Sequence, residues 1–305
     1  MNSVAIVMAT YNGEAFLKEQ IDSILDQTYR DFTLEIFDDC STDLTENIIR
    51  SYNDNRIRYR KNSENKGYAH NFIDGMRQIS SDIIFLADQD DIWFKNKLDI
   101  MISVLESQGN IGLLVSDDID FSLKIPIVPV QNKKTGVRKV CAEEFLKRGA
   151  YRGMNIAMTR KFLLKFFNSP DFTEDYNSHD WMLECNACKY GQMYKIDIPL
   201  AFHRKHGKNT ASLGNDTTSC YTVRISSTIR KVVIYTWALK HIDDNEIQKY
   251  AKINLLHHQK RLELLEAVKF QKRLLYFLWL MVNAFKFRFP KKRICADLIY
   301  SLRRM

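Results

Sequence analysis

Three short strand-like stretches in the first ninety residues, two of them continuous apolar runs, each stop abruptly at a polar cluster, and helical spacings of apolar residues separate them. Residues 4–9 form the first run, which breaks at Thr10-Tyr11-Asn12-Gly13. Phe16, Leu17, Ile21, Ile24 and Leu25 then recur at helical spacing, and the stretch 32–37 ends at Asp38-Asp39. Residues 45–52 read as a helix, 57–59 as a short strand, 68–79 as a helix and 83–87 as a third buried strand, ending in Asp88-Gln89-Asp90-Asp91. A helix over 95–105 and a strand over 112–116 follow. Unbroken apolar strands alternating with amphipathic helices predict an α/β fold, with a mostly parallel sheet covered by helices on both faces. In open sheets of this kind the ligand crevice lies at the carboxyl ends of the strands. The three polar clusters are therefore expected to face one pocket.

Beyond residue 120 the pattern weakens. Residues 121–138, with Pro126 and Pro129, read as a loop, and so do 201–215; 142–146, 160–167 and 179–189 read as helices, and helical periodicity dominates from 223 onward. Charge also divides the chain. From residue 223 there are 18 Lys/Arg against 6 Asp/Glu, whereas the whole chain has 45 against 37. A basic tail implies an anionic partner, nucleic acid or membrane. The run LLYFLWLMVNAF at 274–285 is short of the roughly 18–20 apolar residues that span a bilayer. Lys272, Arg273, Lys286, Arg288 and Lys291-Lys292-Arg293 flank it, and it carries Tyr276 and Trp279. A helix lying on an anionic membrane surface is expected, with a core helix or a homodimer contact as the alternatives. Nucleic acid is disfavoured because the aromatics form a block instead of interleaving with the cations. The opening MNSVAIVMATYN has no basic n-region and a short apolar stretch. A cytoplasmic location, peripheral on the inner face of the cell membrane, is expected. The six cysteines lack framework spacing and read as reduced thiols; the pair Cys185/Cys188 has no second pair at zinc-finger spacing and reads as packing.

Asp88 and Asp90 bracket Gln89 at the end of an apolar strand, with Asp91 directly after. Such a cluster suits Mg²⁺ or Mn²⁺ on a diphosphate, because hard cations take carboxylate oxygens. The plain alternative is a helix cap, a role open to Asp91, but a cap needs one carboxylate and not three. Asp38-Asp39 alone reads as a cap or turn. Tyr11 on the neighbouring strand end shifts that reading toward a nucleobase, with an aromatic face beside a carboxylate.

Taken in order and spacing, VAIVMATYNGEAFLKEQIDSILDQTY, IFDDCSTD, NKGYAHNFIDG and IIFLADQDDIW resemble the family 2 inverting glycosyltransferases with the GT-A fold. DQDDIW with HDW and a downstream Arg-x-His-Gly-x-Asn is similar to rhamnosyltransferase-like enzymes of bacterial surface-polysaccharide assembly. The resemblance implies a Rossmann-like GT-A domain over 1–215, with 216–305 as a basic helical C-terminal extension. It implies that Thr10, Tyr11 and Asp39 hold the nucleoside, with Asn12 and Glu14 alongside, and that Lys66 and Gly67 line the donor site. Asp88 would lie by the ribose or the metal, and Asp90 would bind the divalent metal. Asp180 of SHDWM takes the position of the catalytic base. The usual Glu-Asp is here His179-Asp180, and a literal Glu-Asp occurs at Glu174-Asp175. Arg204 and His206 resemble a loop closing on the donor diphosphate, whereas His203 reads equally as a solvated loop residue. Arg152, Asn155 and Trp181 fall where relatives contact the acceptor.

The implied partners are a dTDP- or UDP-linked sugar and a saccharide acceptor, plausibly lipid-linked. A nucleotidyltransferase shares the nucleotide and the metal but needs no base such as Asp180. A non-catalytic sugar-nucleotide or glycan-binding module is the third reading, and the presence of both Asp90 and Asp180 weighs against it.

Overall fold

A computed structural model describes residues 2–122, 124–126, 136–170, 172, 178–206, 221–266, 270–287, 289, 294–295 and 297–298. The chain divides into two compact units, Met1–Lys205 and His206–Met305. The sequence placed that division after residue 215.

The first unit runs β1 (Val4–Thr10), α1 (Leu17–Leu25), β2 (Thr33–Asp38), α2 (Thr45–Arg50), β3 (Ile57–Lys61), α3 (Tyr68–Gln78), β4 (Ile83–Ala87), β5 (Ile92–Trp93), α4 (Lys97–Ser107) and β6 (Leu113–Phe121). It continues through β7 (Val137–Lys139), α5 (Ala142–Arg148), a 3₁₀ turn at Gly153–Asn155, β8 (Ile156–Thr159), α6 (Arg160–Phe167), α7 (His179–Lys189) and β9 (Met193–Arg204). The strands form one sheet in the order β3-β2-β1-β4-β8-β6-β9-β5, with β7 on β9. β1 to β4, β6 and β9 run one way, and β8, β5 and β7 are reversed. Every residue of β1 and β4 is buried, as expected of central strands covered on both faces. Leu17, Ile21 and Ile24 bury one face of α1 on the core beside Ile6, Met8 and Phe85.

The register sets the site. Thr10 lies opposite Asp38, and Met8 opposite Ala87, so the polar clusters after β1, β2 and β4 leave the sheet at one end.

Two expected loops are partly strand. In the stretch 121–138, Phe121 ends β6 and Val137 begins β7, and in 201–215 β9 continues to Arg204; β6 also runs beyond the strand end expected at Ser116. The polar stretch SDDID is a poor strand former by propensity. Pairing with β9 builds it, with register shifts between Val115 and Asp117 and between Asp117 and Ile119.

The second unit contains α8 (Tyr221–His241), α9 (Asn245–Glu266) and α10 (Phe270–Phe287). Leu264, Leu280, Ala284 and Ile294 form its core, and Arg261 makes a buried 2.7 Å ion pair with Asp297. No helix among the described residues is long and apolar enough to cross a membrane. Along α10, Leu274, Leu275, Leu278 and Val282 are exposed.

Candidate active site

The turn after β1 is fastened to the turn after β2 by a series of hydrogen bonds. Asn12, in the left-handed region at φ 47°, donates its N–H to Ser41 Oγ at 2.9 Å and accepts the Thr42 N–H on Oδ1 at 2.9 Å. Gly13 N–H donates to Thr45 Oγ1 at 2.8 Å, and Glu14 Oε2 accepts the Leu44 N–H at 3.1 Å. Asp38 closes its own turn by accepting the Ser41 N–H at 2.8 Å, and takes the Tyr59 hydroxyl at 2.7 Å. Asp39 is buried, and its carboxylate accepts the N–H groups of Lys66 at 2.9 Å and Gly67 at 2.8 Å together with the Asn62 amide at 3.0 Å. It is the post around which residues 62–67 fold. The Lys66 ammonium turns to Asp74 at 2.8 Å. The ring of Tyr11 is 46% exposed beside this scaffold.

Gln89 joins the ends of β1 and β4. Its Oε1 accepts from Thr10 Oγ1 at 2.6 Å and from the Tyr11 N–H at 2.9 Å, and its amide donates to the Tyr11 carbonyl at 3.1 Å. Asp88, Asp90 and Asp91 surround this clip. Desolvation of Asp88, with the negative charges of Asp90 and Asp180 nearby, pushes its carboxyl up to about 7. Burial, then the Asp88 and Asp90 charges, pushes Asp91 well above the carboxylate range. Asp91 is not a helix cap: Oδ1 accepts the Arg204 N–H at 3.0 Å, and Oδ2 has no hydrogen-bond partner among the described residues. The cap position of α4 falls to Asn96. Lys97 lies fully buried beneath the cluster, donates to the Met154 carbonyl at 2.6 Å and packs over Trp93 at 4.2 Å. Burial pulls its ammonium down to about 7 against the opposing pull of Asp91, Asp118 and Asp88.

Asp180 sits in the first turn of α7. Its Oδ1 accepts from the Ser178 hydroxyl and, at 2.9 Å, from the Trp181 N–H. Its negative charge is one of the causes that raise the Asp88 carboxyl. Glu174 and Asp175 lie outside the described residues. One turn on, the buried Glu184 accepts the Tyr151 N–H on both oxygens at 3.0 Å, which anchors the segment leading to Arg152, the 3₁₀ turn and Asn155. Burial and the Asp180 charge push Glu184 well above its ordinary range. The ring of Trp181 meets Phe145 edge-on at 6.4 Å.

Arg152 pairs with Asp118 and, at 3.1 Å, with Asp120; Asn155 donates to Asp118 at 2.6 Å. Asp118, Asp120 and His203 bring three candidate metal-ligand atoms within 4.8 Å of one another. Asp120 also pairs with Lys205 at 2.6 Å, and His203 Nδ1 lies 2.8 Å from it. With Arg152 and Lys205 already matching the two carboxylates, this cluster suits an ion-pair lattice better than a dication.

Arg204 lies at the end of β9 and not in the loop expected over 201–215. β9 carries it between the rings of Phe16 and Phe121, at 4.7 and 4.6 Å, where its guanidinium donates to the Asp90 carbonyl at 2.9 Å and to Glu19 at 2.7 Å. It holds the Asp90–Asp91 backbone. His206 begins the second unit.

The model of glycosyl transferase family 2 matches residues 5–164, more than half of the chain. The chain belongs to that family. This family 2 glycosyltransferase is 28% identical over 221 residues to the dTDP-rhamnosyl transferase RfbG of Shigella flexneri, covering 66% of this chain and 72% of that one. It is 36% identical over 173 residues to the UDP-Glc:alpha-D-GlcNAc-diphosphoundecaprenol beta-1,3-glucosyltransferase WfgD of Escherichia coli, covering 57% of this chain and 66% of that one. Among solved structures, S. aureus TarS 1–349 in complex with UDP-GlcNAc aligns with a TM-score of 0.66 at 14% identity, over 99% of this chain and 91% of that one. Mannosyltransferase PcManGT from Pyrobaculum calidifontis, in complex with GDP-Man and Mn²⁺, aligns at 0.57 and 15% identity, over 99% and 87%. At such identities these likenesses speak for the fold, and the GT-A fold expected from the sequence is the one found.

The polar clusters after β1, β2 and β4 leave the sheet at one end, and the structure adds three residues beside them or on α7 that the sequence did not single out. Gln89 stood inside the Asp88–Asp91 cluster and was within reach. Lys97 and Glu184 carry no sequence signal, being one lysine and one glutamate on ordinary helices. The donor set fits a divalent cation: hard oxygens, three carboxylates directly after β4 of which Asp88 and Asp91 are pushed up by burial and their neighbours' charges, and an orphaned buried oxygen on Asp91.

Proposed function

We propose that this glycosyltransferase moves a sugar from a nucleoside-diphosphate donor to a saccharide acceptor with inversion at the anomeric carbon. The reading is supported by Asp88 and Asp90, which directly follow β4 at the sheet end where Tyr11 is exposed, and by Asp180 in the first turn of α7, whose negative charge helps to raise Asp88. Tyr11 offers a ring for the base, while Thr10, Asn12, Glu14, Asp39, Lys66 and Gly67 build the walls. Asp90 with Asp88 would hold Mg²⁺ or Mn²⁺. When bound, such a cation neutralises charge on the leaving diphosphate.

Asp180 takes the proton of an acceptor hydroxyl. The freed oxygen forms its bond to the anomeric carbon, and the bond from that carbon to the diphosphate breaks, its electron pair leaving with the nucleoside diphosphate. A single base opposite the leaving group requires no covalent enzyme intermediate. Arg152 and Asn155, fixed by Asp118, and Trp181 on α7 are the acceptor-side contacts. Lys97 offsets part of the carboxylate charge from below.

The relatives' printed donors favour dTDP-rhamnose, with a UDP-hexose second, and a lipid-linked saccharide of a surface polymer as acceptor. The exposed leucines of α10 and seven basic residues from Lys286 onward support work at an anionic membrane surface on its cytoplasmic side.

Purified protein incubated with a panel of sugar nucleotides, with and without Mg²⁺ or Mn²⁺, tests this by product chromatography. Metal-dependent release of nucleoside diphosphate is expected. Release of pyrophosphate would make the protein a nucleotidyltransferase, and no product from any donor would leave a binding module.

A further inference from the structure

Glu184 lies one turn beyond Asp180 on α7, so the two side chains leave the same face of the helix. It is fully buried, and both of its oxygens accept the Tyr151 N–H at 3.0 Å. Burial and the Asp180 charge both penalise its ionised form. Packing alone would be served better by an apolar side chain, because a buried carboxyl is costly unless its partners offset the loss of water. Its partner is a backbone group, which directs attention to the segment that follows Tyr151.

Two residues on, Gly153 meets the other end of the same helical turn. An added Cβ there would lie 3.0 Å from His179 Nε2 and 4.0 Å from the Asp180 Cβ. Gly153 stays outside the left-handed region, so close approach and not backbone freedom calls for glycine. His179 has little room to give way, being buried and stacked on Phe72 of α3 at 4.0 Å and 24°. Arg152, between the two contacts, is extended at φ −74° and ψ 141°. Two extended residues cover about 7 Å and one helix turn about 5.4 Å, so residues 151–153 run alongside the turn from Glu184 back to Asp180. The same segment is tied away from α7 as well: Lys97 Nζ donates to the Met154 carbonyl at 2.6 Å, and Asn155 donates to Asp118 at 2.6 Å. We propose that Glu184 is a positioning residue for Asp180: through Tyr151 it fixes residues 151–155, and this segment seats the first turn of α7 at a set place relative to Lys97 and the carboxylates above it. The inference rests on Asp180 being the base.

Release of nucleoside diphosphate from dTDP-rhamnose and UDP-glucose tests it on the full-length protein, with water in the acceptor's place, because water too must lose a proton to the base. Rates are taken below the melting temperature of every variant. Glu184→Met keeps the volume but removes the acceptor oxygens, and should lower kcat about 10–100-fold with the donor KM changed by less than about twofold, since small misplacements of a reacting group are expensive. Glu184→Gln keeps an oxygen for the Tyr151 N–H and should hold kcat within about threefold of wild type. Gly153→Ala presses on the same turn from its other end and should show the same split between kcat and KM. Joined to Glu184→Met it should cost less than the product of the single effects, because both act on one seat. A merely structural role would lower the melting temperature and leave kcat of the folded protein in place. Wild-type kcat in Glu184→Met or in Gly153→Ala, or a Glu184→Gln as slow as Glu184→Met, would overturn the inference while leaving the transferase reading intact. Wild-type hydrolysis by Asp180→Asn would instead remove the base on which the inference rests, and no release by the wild type from either donor would bring down the transferase reading itself.

Discussion

The proposed roles of Asp180 as base and Asp90 as metal ligand are separable, and the variants of these two carboxylates should separate accordingly. Asp180→Asn keeps shape and hydrogen-bond reach but cannot take a proton, so transfer should fall on the order of 10²–10⁴-fold while donor affinity stays close to wild type. Asp90→Asn should instead lose metal-dependent donor stabilisation, measured as the thermal shift with and without Mn²⁺. Equal effects of both variants on donor affinity would contradict the division. His179 gives a different signal. Burial holds its imidazole down to about 4, so the unfolded chain takes up the proton first. Its share of stability is intact above about pH 6.5 and is lost as pH falls from there through about 4, by roughly 3 kcal/mol in all. His179→Phe keeps a ring on Phe72 and should flatten that part of the acid limb, as read by urea melts between about pH 7 and about pH 4. Parallel loss in both proteins would place the acid sensitivity elsewhere. Asp88, Asp90 and Asp180 stood out in the sequence because clustered or helix-opening carboxylates are conspicuous. The burial of His179 and the orphaned oxygen of Asp91 could not be read there, since both depend on which distant elements pack over them.

At the scale of elements, the site is a set of strand ends locked in register. Gly13 has no room for a side chain: an added Cβ would strike Gln89 Oε1 and come 2.9 Å from Thr10 Oγ1. The Gln89 amide cannot swing away cheaply, because three hydrogen bonds to Thr10 and Tyr11 hold it. Gly13→Ala should therefore cost about 1–3 kcal/mol and weaken donor binding, and Gly13→Ala/Gln89→Ala should lose less than the sum of its single variants. A double-mutant cycle on melting temperature and donor affinity checks this; strict additivity would mean the two residues do not meet. β1 and β4 were legible because central parallel strands read as almost unbroken apolar runs, and β2 because Phe32, Leu34, Ile36 and Phe37 stop at Asp38-Asp39. The polar half of β6 and the last residues of β9 were not, because their pairing across a bulged register, and not the preference of residues such as Asp117 and Asp118, makes them strand.

For the whole molecule, the two compact units predict that residues 1–205 bind donor without the helical region. The exposed leucine face of α10 predicts flotation of the full-length protein with anionic but not neutral vesicles, weakened by salt at roughly 1 kcal/mol per basic residue near the surface. Leu275→Asp/Leu278→Asp should abolish flotation with little change in melting temperature, since both side chains are already exposed. If that variant instead changes the mass of the particle in solution, the face joins two copies. Arg204 bears on how far kinship can be trusted. The match to the family ends at residue 164, yet the peptide bearing Asp90 and Asp91 is gripped by an arginine well past that point, and Asp180 lies past it too. On the proposed function, the recognisable half of the chain holds the parts that would grasp a nucleotide. Two descendants could share all of it and still differ in what they build, because Asp180 and Trp181, to which the proposed function gives the activation and contact of the second substrate, stand outside the stretch by which the lineage is known.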